Sequence, residues 1–182
     1  MMPTSDQGVT LDRYILVPRV LIFVTRGNSV LLLKGAPTKR LWANKYNGVG
    51  GHVERGEDIL SAARSELLEE AGLTADLWLC GTVVVDTGEN PGIGIYVFTG
   101  ECPEREPKPS TEGLVLSEVE RLAPSEVEGT LIWISFGEVE NLPAVEDLPI
   151  LLGRIRQMKR GDPPFSVRSF YEVDQLRLEF IE

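Results

Sequence analysis

The stretch from residue 50 to residue 73, GGHVERGEDILSAARSELLEEAGL, constrains the fold of this chain more than any other. It joins a glycine-rich loop to a run of good helix formers without proline. Asp58 is favoured near the positive N-terminal end of a helix, and Gly72 is suited to end one in the left-handed conformation. The sequence therefore predicts a helix from Asp58 to Ala71, entered through a tight backbone loop.

The predicted helix has one apolar face and one acidic face, because successive residues are rotated by about 100°. The apolar face holds Leu60, Ala63, Leu67, Leu68 and Ala71, and the acidic face holds Asp58, Glu66, Glu69 and Glu70. Like charges at this spacing repel by a few tenths of a kcal/mol per pair. A hard divalent cation would relieve that repulsion, so the glutamates are a candidate metal site. The alternative is that they are simply solvated, as acidic pairs on helices often are.

The spacing of these residues resembles the Nudix box, Gly-x5-Glu-x7-Arg-Glu-hydrophobic-x-Glu-Glu-x-Gly-hydrophobic. The residues in register are Gly51, Glu57, Glu66, Leu67, Glu69, Glu70, Gly72 and Leu73. One position departs from the motif, since Ser65 stands where the family has an arginine that helps to hold the catalytic glutamates. Arg64 lies about 100° away around the helix and cannot simply replace it. Arg55 and Lys45 are the other candidate sources of that charge.

The resemblance implies a metal-dependent hydrolase of nucleoside diphosphate-linked substrates. It assigns metal binding and catalysis to Glu66, Glu69 and Glu70, with the carbonyl of Gly50 as a further ligand. Glu57 would be a supporting carboxylate at the loop. The expected ion is Mg²⁺, with Mn²⁺ as the alternative. In related enzymes a glutamate on a later loop can accept a proton, and that residue is expected to be Glu128, with Glu112 as the second choice.

The approach to the box is rich in glycine, which is used where a backbone must come close to another group. Asn47 lies just before these glycines and is expected at the mouth of the site; the alternative is a turn-stabilising role. Lys34 precedes a basic loop at residues 35–40, for which phosphate contact and simple solvation are both open. Lys34 and Asn47 are therefore predicted to bind substrate.

Glu146 and Asp147 form an acidic pair just before the second predicted helix. The chain is most similar to Nudix enzymes that hydrolyse oxidised purine nucleoside triphosphates, in which an asparagine before the box and such a pair contact the purine. The resemblance places Asn47, Glu146 and Asp147 in that role. The alternative is that the pair only begins a helix, where acidic residues are favoured by the dipole. The bulky aromatic residue of those enzymes is missing beside the pair, where Ala144 and Val145 stand.

Composition narrows the class of protein. With 182 residues, of which 42% are hydrophobic, the chain can bury one core, and a single domain over residues 1–182 is expected. The net charge of −10 argues against a nucleic-acid polymer or an anionic membrane as partner, and leaves a small nucleotide held through metal. Two cysteines are read as reduced thiols, and the N-terminus has no signal pattern, so a cytoplasmic protein is expected. Nothing in the composition fixes the oligomeric state.

The order of predicted elements gives an α+β protein whose mixed sheet lies between helices, which is also the Nudix helix-sheet-helix sandwich. Residues 1–12 are expected to be loose, and residues 103–129 irregular, as though inserted. The remaining expected elements are a hairpin at 20–24 and 30–33, strands at 77–85, 93–99 and 130–134, a second helix at 147–159, and a C-terminal hairpin at 165–173 and 176–180.

Three functions are compatible with these patterns. The first is a Mg²⁺-dependent Nudix hydrolase that cleaves a purine nucleoside triphosphate, oxidised purines included, to the monophosphate and pyrophosphate. The second is a Nudix domain that binds a nucleotide with little or no turnover, which Ser65 favours. The third is an unrelated acidic interaction domain.

Overall fold

Strand β1, Leu16–Arg26, lies at the centre of the fold and is buried on both faces. Its side chains alternate between two hydrophobic layers: Leu21 and Phe23 belong to one, and Val20, Ile22 and Val24 to the other. A strand covered on both sides reads as a continuous apolar run, as this one does. The structure is a computed structural model and describes residues 7–8, 10, 12–102 and 129–181.

Eight strands of the described residues form one mixed sheet in the order β3-β2-β1-β5-β4-β7-β8, with β6 paired to β2. The pairs β1–β5 and β4–β7 are parallel, and the other pairs are antiparallel. Beyond β1, the strands are β2 Ser29–Gly35, β3 Tyr46–Asn47, β4 Trp78–Val85, β5 Gly92–Glu101, β6 Gly129–Ser135, β7 Phe165–Glu172 and β8 Gln175–Ile181.

Helices cover both faces of this sheet. Helix α1, Ile59–Glu66, continues as a π-helical turn, Leu67–Ala71, and packs on the layer of Val20, Ile22 and Val24. Helix α2, Leu148–Ile155, packs on the layer of Leu21 and Phe23. The predicted α+β class and the helix-sheet-helix sandwich are confirmed.

Most predicted elements are present, with different ends. The C-terminal hairpin β7–β8 is confirmed along its whole length. Helix α2 ends at Ile155 rather than at residue 159. The first hairpin is paired only next to its turn, because β2 then leaves β1 to pair with β6 and β3. Of the segments expected to be irregular or loose, 103–129 and 1–12, only Gly129, Gln7, Gly8, Thr10 and Asp12 lie within the described residues.

Both cysteines are buried and unpaired, as expected for reduced thiols. Burial raises the pKa of the Cys80 thiol to about 12. No helix of the described ranges is both long and apolar enough to cross a membrane.

Candidate functional site

A cavity of about 550 Å³ opens between the glycine loop and the face of the sheet that carries α2. Its size is that of a small-molecule site. Its floor consists of side chains from four neighbouring strands, and the segment before α2 passes over them. The lining residues that matter below are Arg19, Trp42, Asn47, Gly50, Gly51, Glu66, Glu70, Val85, Ile93, Ile95, Glu146, Asp147, Ser169 and Tyr171.

The glycine loop runs alongside β1 as an additional short stretch of antiparallel backbone. The Val20 N–H donates to the Gly51 carbonyl at 3.0 Å, and the Ile22 N–H donates to the Val49 carbonyl at 2.7 Å. A Cβ atom on Gly50 would overlap the carbonyl oxygen of Val20. Glycine is therefore needed at position 50 for the loop to lie against β1, as the dense glycine spacing predicted.

Two of the box glutamates face this loop. A Cβ atom on Gly51 would overlap the carboxylate of Glu66, so that carboxylate lies directly against the loop backbone. The Gly50 N–H donates to Oε2 of Glu70 at 3.4 Å. Glu66 and Glu70 line the cavity, whereas Glu69 is exposed and is not among the lining residues. The structure therefore brings two of the three predicted carboxylates together at the cavity.

The second half of the helix that carries these glutamates, Leu67–Ala71, is a π-helical turn. Backbone hydrogen bonds at its end run from the N–H of Gly72 to the carbonyls of Leu67 and Leu68, and Gly72 has a positive φ of 67°. The wider turn changes the direction in which its side chains point. Leu68, predicted on the apolar face, is 50% exposed, so that prediction is wrong. The predicted left-handed end at Gly72 is confirmed.

The start of α1 is fixed by Asp58. Its carboxylate accepts hydrogen bonds from the backbone N–H groups of Leu60 and Ser61, each at 3.0 Å, which satisfies two otherwise unpaired donors. These bonds lower the pKa of Asp58. Glu57, the predicted supporting carboxylate, accepts from the Glu54 N–H at 3.3 Å and closes the turn before the helix, away from the cavity lining.

The donor set suits a magnesium ion that is shared with substrate. The described residues contain no group of three or more acidic, histidine or cysteine side chains close enough to hold a metal ion by themselves. Mg²⁺ commonly binds through one or two carboxylates, keeps several waters and takes its remaining ligands from substrate phosphates. Glu66 and Glu70, both at the wall of a cavity large enough for a nucleotide, fit that mode.

Serine stands at position 65, where the Nudix box has an arginine before the first glutamate. Ser65 and Arg64 are both exposed, and Arg64 is not among the residues that line the cavity. Arg55 and Lys45 are not among the residues that line the cavity.

The second half of the cavity lies over the sheet. Residues 144–147 pass above it, fixed at one end where the Val145 N–H donates to the Tyr46 carbonyl at 3.0 Å. At the other end, the Tyr171 hydroxyl donates to Glu146 at 3.4 Å. The side-chain oxygen of Asn47 accepts from the Gly48 N–H at 2.8 Å, which fixes the orientation of its amide beside the cavity. Asn47, Glu146 and Asp147 thus line one cavity, although they are far apart in the sequence.

Asp147 has the environment of a site residue. It occupies the N-cap position of α2, but its side chain makes no capping hydrogen bond. Burial raises its pKa, and the neighbouring charge of Glu146 raises it further. The alternative is that Asp147 merely begins the helix. In that role its side chain would be expected to accept a hydrogen bond from the first turn, and it accepts none.

Some predicted residues lie elsewhere. Lys34 is on β2, paired with Tyr46 and Thr130, and is not among the residues that line the cavity. Glu128 and Glu112 lie outside the described residues.

Other lining residues were missed from the sequence, namely Arg19, Trp42, Ser169 and Tyr171. Trp42 has a positive φ of 63°, which is unusual for a bulky residue, but no sequence pattern reveals it. The other three occupy strands, where nothing in the local sequence shows that one position of an alternating pattern opens onto a cavity.

Comparison with known proteins gives a consistent family. A model of the NUDIX domain matches residues 16–152. The chain is 40% identical over 94 residues to the oxidized purine nucleoside triphosphate hydrolase of Danio rerio, a match of 50% of this chain and 59% of that protein. The match thus spans less than two thirds of that relative.

Solved structures resemble the fold at lower identity. The MutT protein of Bacillus halodurans has a TM-score of 0.67 at 22% identity, over 90% of this chain and 98% of that one. The NUDIX domain of Shewanella oneidensis NrtR, solved with ADP-ribose, has a TM-score of 0.60 at 12% identity, over 86% and 98% of the two chains.

Proposed function

The chain belongs to the Nudix family, and on that basis we propose that it is a metal-dependent nucleotide pyrophosphohydrolase. Its proposed substrate is a purine nucleoside triphosphate, oxidised purines included, which it cleaves to the nucleoside monophosphate and pyrophosphate. The observation that carries the proposal is that Glu66 and Glu70 line the same cavity as Asn47 and Asp147. The name of the Danio rerio relative supports the same substrate class.

The carboxylate end would hold the phosphates. A divalent cation bound there by Glu66 and Glu70 would neutralise charge on the phosphate oxygens and polarise the phosphorus to be attacked. Both carboxylates lie against the backbone of Gly50 and Gly51, so the loop would help to position them for the metal. A fixed arrangement of this kind lowers the barrier because no reorganisation is needed when the reaction occurs.

The bond changes are those of anhydride hydrolysis. Water adds its oxygen to one of the two phosphorus atoms joined by the cleaved anhydride, and the bridging oxygen leaves with the other. One water proton passes to a base in the site, and Glu66 and Glu70 are candidates because both line the cavity beside the glycine loop. The products are the monophosphate and pyrophosphate, and no oxidant or further reactant is required.

The sheet end would hold the purine. Asn47 offers an amide whose orientation is fixed by the Gly48 N–H. Asp147 has a raised pKa because it is buried beside Glu146, and a carboxyl group that retains its proton can donate a hydrogen bond as well as accept one. The pair can therefore meet a purine edge that carries both donors and acceptors.

The direct test is a panel of nucleotides with chromatographic detection of the products. dGTP, 8-oxo-dGTP, ADP-ribose and a dinucleoside polyphosphate would each be incubated with Mg²⁺ and, in parallel, with EDTA. The proposal predicts that the purine triphosphates yield monophosphate and pyrophosphate with Mg²⁺ and yield neither product with EDTA. Absence of products from all four compounds, or equal turnover in EDTA, would contradict it.

A binding module is the second candidate, and Ser65 is the observation that favours it, because the Nudix box has at this position an arginine that helps to hold the catalytic glutamates. Such a module would be stabilised by nucleotide and Mg²⁺ without releasing products. A ligand at a hundred times its dissociation constant adds about 2.7 kcal/mol to the free energy of unfolding. Stabilisation without products would favour the binding module, and the absence of both would favour an unrelated interaction domain.

A cytoplasmic location and a single domain over residues 1–182 remain predictions.

A further inference from the structure

Arg19 lies on the floor of the cavity. On β1 it pairs with Ile95 of β5 and forms a bridge with His52 of the glycine loop. Because side chains alternate along a strand, Arg19 points to the same side as Leu21 and Phe23, toward α2. Glu66 lies on α1, which packs on the other side of the sheet. Arg19 and the candidate metal carboxylate thus belong to opposite layers.

One donor of the Arg19 side chain, the Nε atom, is buried and has no hydrogen-bond acceptor among the described residues. No ion pair in the described part of the chain involves Arg19. By contrast, Arg168 contacts Asp86 at 3.0 Å and Arg177 contacts Glu172 at 3.3 Å. A buried donor of a charged group without an acceptor is costly, which indicates that a ligand supplies the acceptor.

The surroundings of Arg19 define the shape and chemistry of that ligand. The floor beside it is apolar and flat, formed by Ile95 and Ile93 of β5 and Val85 of β4. The acidic pair Glu146 and Asp147 lines the same cavity. A planar ring could lie on the apolar floor with acceptors toward the arginine and donors toward the carboxyl groups.

We propose that Arg19 is a specificity-determining residue that selects guanine-type bases, because it donates to the carbonyl edge of the purine while the acidic pair meets the amino edge. Arginine carries five donors and no acceptor, and it pairs well with the acceptor edge of guanine. Adenine places an amino donor where guanine has its carbonyl oxygen, so two donors would face each other and one would remain unpaired. The inference rests on the proposed function, since it names the substrate class of that same cavity.

The test uses binding of product nucleotides, so that it does not depend on turnover. Dissociation constants for dGMP, dAMP and deoxyribose 5-phosphate would be measured with Mg²⁺ for the wild type, Arg19→Met and Arg19→Lys. Arg154→Met is the matched control, because Arg154 is exposed on α2 and is not a cavity residue. We expect the wild type to prefer dGMP over dAMP by at least tenfold. Arg19→Met should lose most of that preference, Arg19→Lys part of it, and Arg154→Met none.

The outcomes separate this inference from the proposed function. Preference for dGMP without any hydrolysis would refute the enzyme and leave the role of Arg19 intact. Hydrolysis without a preference for dGMP would support the enzyme and refute the role of Arg19. Equal weakening of all three ligands by Arg19→Met would show a phosphate or sugar contact, and would overturn the inference. Failure of both Arg19 variants to fold would show a structural role and would overturn it too.

Discussion

Two aspartates of this chain, Asp58 and Asp147, stand at the starts of helices and are affected in opposite ways by their surroundings. Asp58 is exposed and accepts two backbone hydrogen bonds, which lower its pKa. Asp147 makes no capping hydrogen bond, and burial beside Glu146 raises its pKa. Asp58 stabilises a helix end, whereas the surroundings of Asp147 in the cavity favour the protonated form of its carboxyl group. The residue type and helix position alone would not distinguish them.

Asp147→Asn should stabilise the protein, and the gain should grow with pH. A carboxyl group with a raised pKa binds more protons in the folded state than in the unfolded state, so the protein loses stability as pH rises from the ordinary aspartate pKa of 3.8 through the raised value. Asparagine does not titrate and avoids that loss. The check is the free energy of unfolding of both proteins from about pH 3 to pH 8.

Asp58→Asn is the matched control for that experiment, because the pKa of Asp58 is lowered and its contribution to stability depends on pH in the opposite direction. The lowered pKa of Asp58 contributes stability above its unfolded pKa, and this contribution is lost as pH falls through the folded value. The difference between wild type and Asp58→Asn should therefore be largest near neutral pH and shrink in acid. A pH-independent effect of Asp147→Asn would contradict the environment described for Asp147.

Asn47→Ala and Asp147→Ala should each lower kcat/KM for a purine triphosphate by at least tenfold, about 1.4 kcal/mol of transition-state binding. Each removes a polar group at the end of the cavity assigned to the base. The measurement compares kcat/KM for a purine substrate with that for a triphosphate lacking a base. If both substrates lose equally, these residues support the fold or the metal, and the purine assignment fails.

At the scale of elements, the glycine loop and α1 act as one unit. The loop lies against β1 because Gly50 has no side chain, and the carboxylates of Glu66 and Glu70 lie against the loop. Both elements were predicted from the sequence, since local signals determine where a helix begins and where a backbone must come close. The π-helical turn at Leu67–Ala71 was not predicted, because residues 67–71 are ordinary helix formers. For that reason Leu68 was assigned to the wrong face.

Gly51→Ala tests the contact between loop and helix. Its new methyl group would meet the end of the Glu66 side chain, which can move at little cost in stability but only by leaving its position. We expect a change in Tm of roughly a few degrees at most and a loss of turnover of about tenfold or more. Gly137→Ala is the control, since its methyl group meets nothing closer than 3.9 Å. Normal turnover in Gly51→Ala would show that the position of Glu66 is unimportant.

Gly153→Ala should stabilise α2. Gly153 lies inside this helix, and a methyl group there would meet no atom within 4 Å. Alanine in place of an unconstrained helical glycine contributes about 0.5–1 kcal/mol, because it restricts the unfolded chain. Denaturant unfolding measures the change in the free energy of unfolding. A loss of stability would contradict the open space that surrounds Gly153 in the structure.

At the scale of the whole molecule, the cavity depends on contacts between distant parts of the chain. Parallel pairing of β1 with β5 places Arg19 beside Ile95, and β4 pairs with β7 to bring Ser169 beside Val85. The layered fold could be predicted from the order of elements and from the resemblance carried by residues 50–73. The cavity floor could not be predicted, because no local signal in the sequence determines strand register or the order of strands in the sheet. Asp147 was predicted to bind substrate through the family resemblance alone, whereas Asn47 was also predicted from its position beside the glycines.

The most direct test of the account is turnover of 8-oxo-dGTP and dGTP by the wild type, Glu70→Gln and Glu89→Gln, each with Mg²⁺ and with EDTA. Glu70 lines the cavity and accepts from the Gly50 N–H, whereas Glu89 is an exposed loop residue away from it. We predict Mg²⁺-dependent release of pyrophosphate by the wild type and Glu89→Gln. Glu70→Gln should lose roughly a hundredfold or more, about 2.7 kcal/mol, with little change in Tm. Near-wild-type release by Glu70→Gln, or release that EDTA does not abolish, would contradict the assignment of this cavity as a metal-dependent active site.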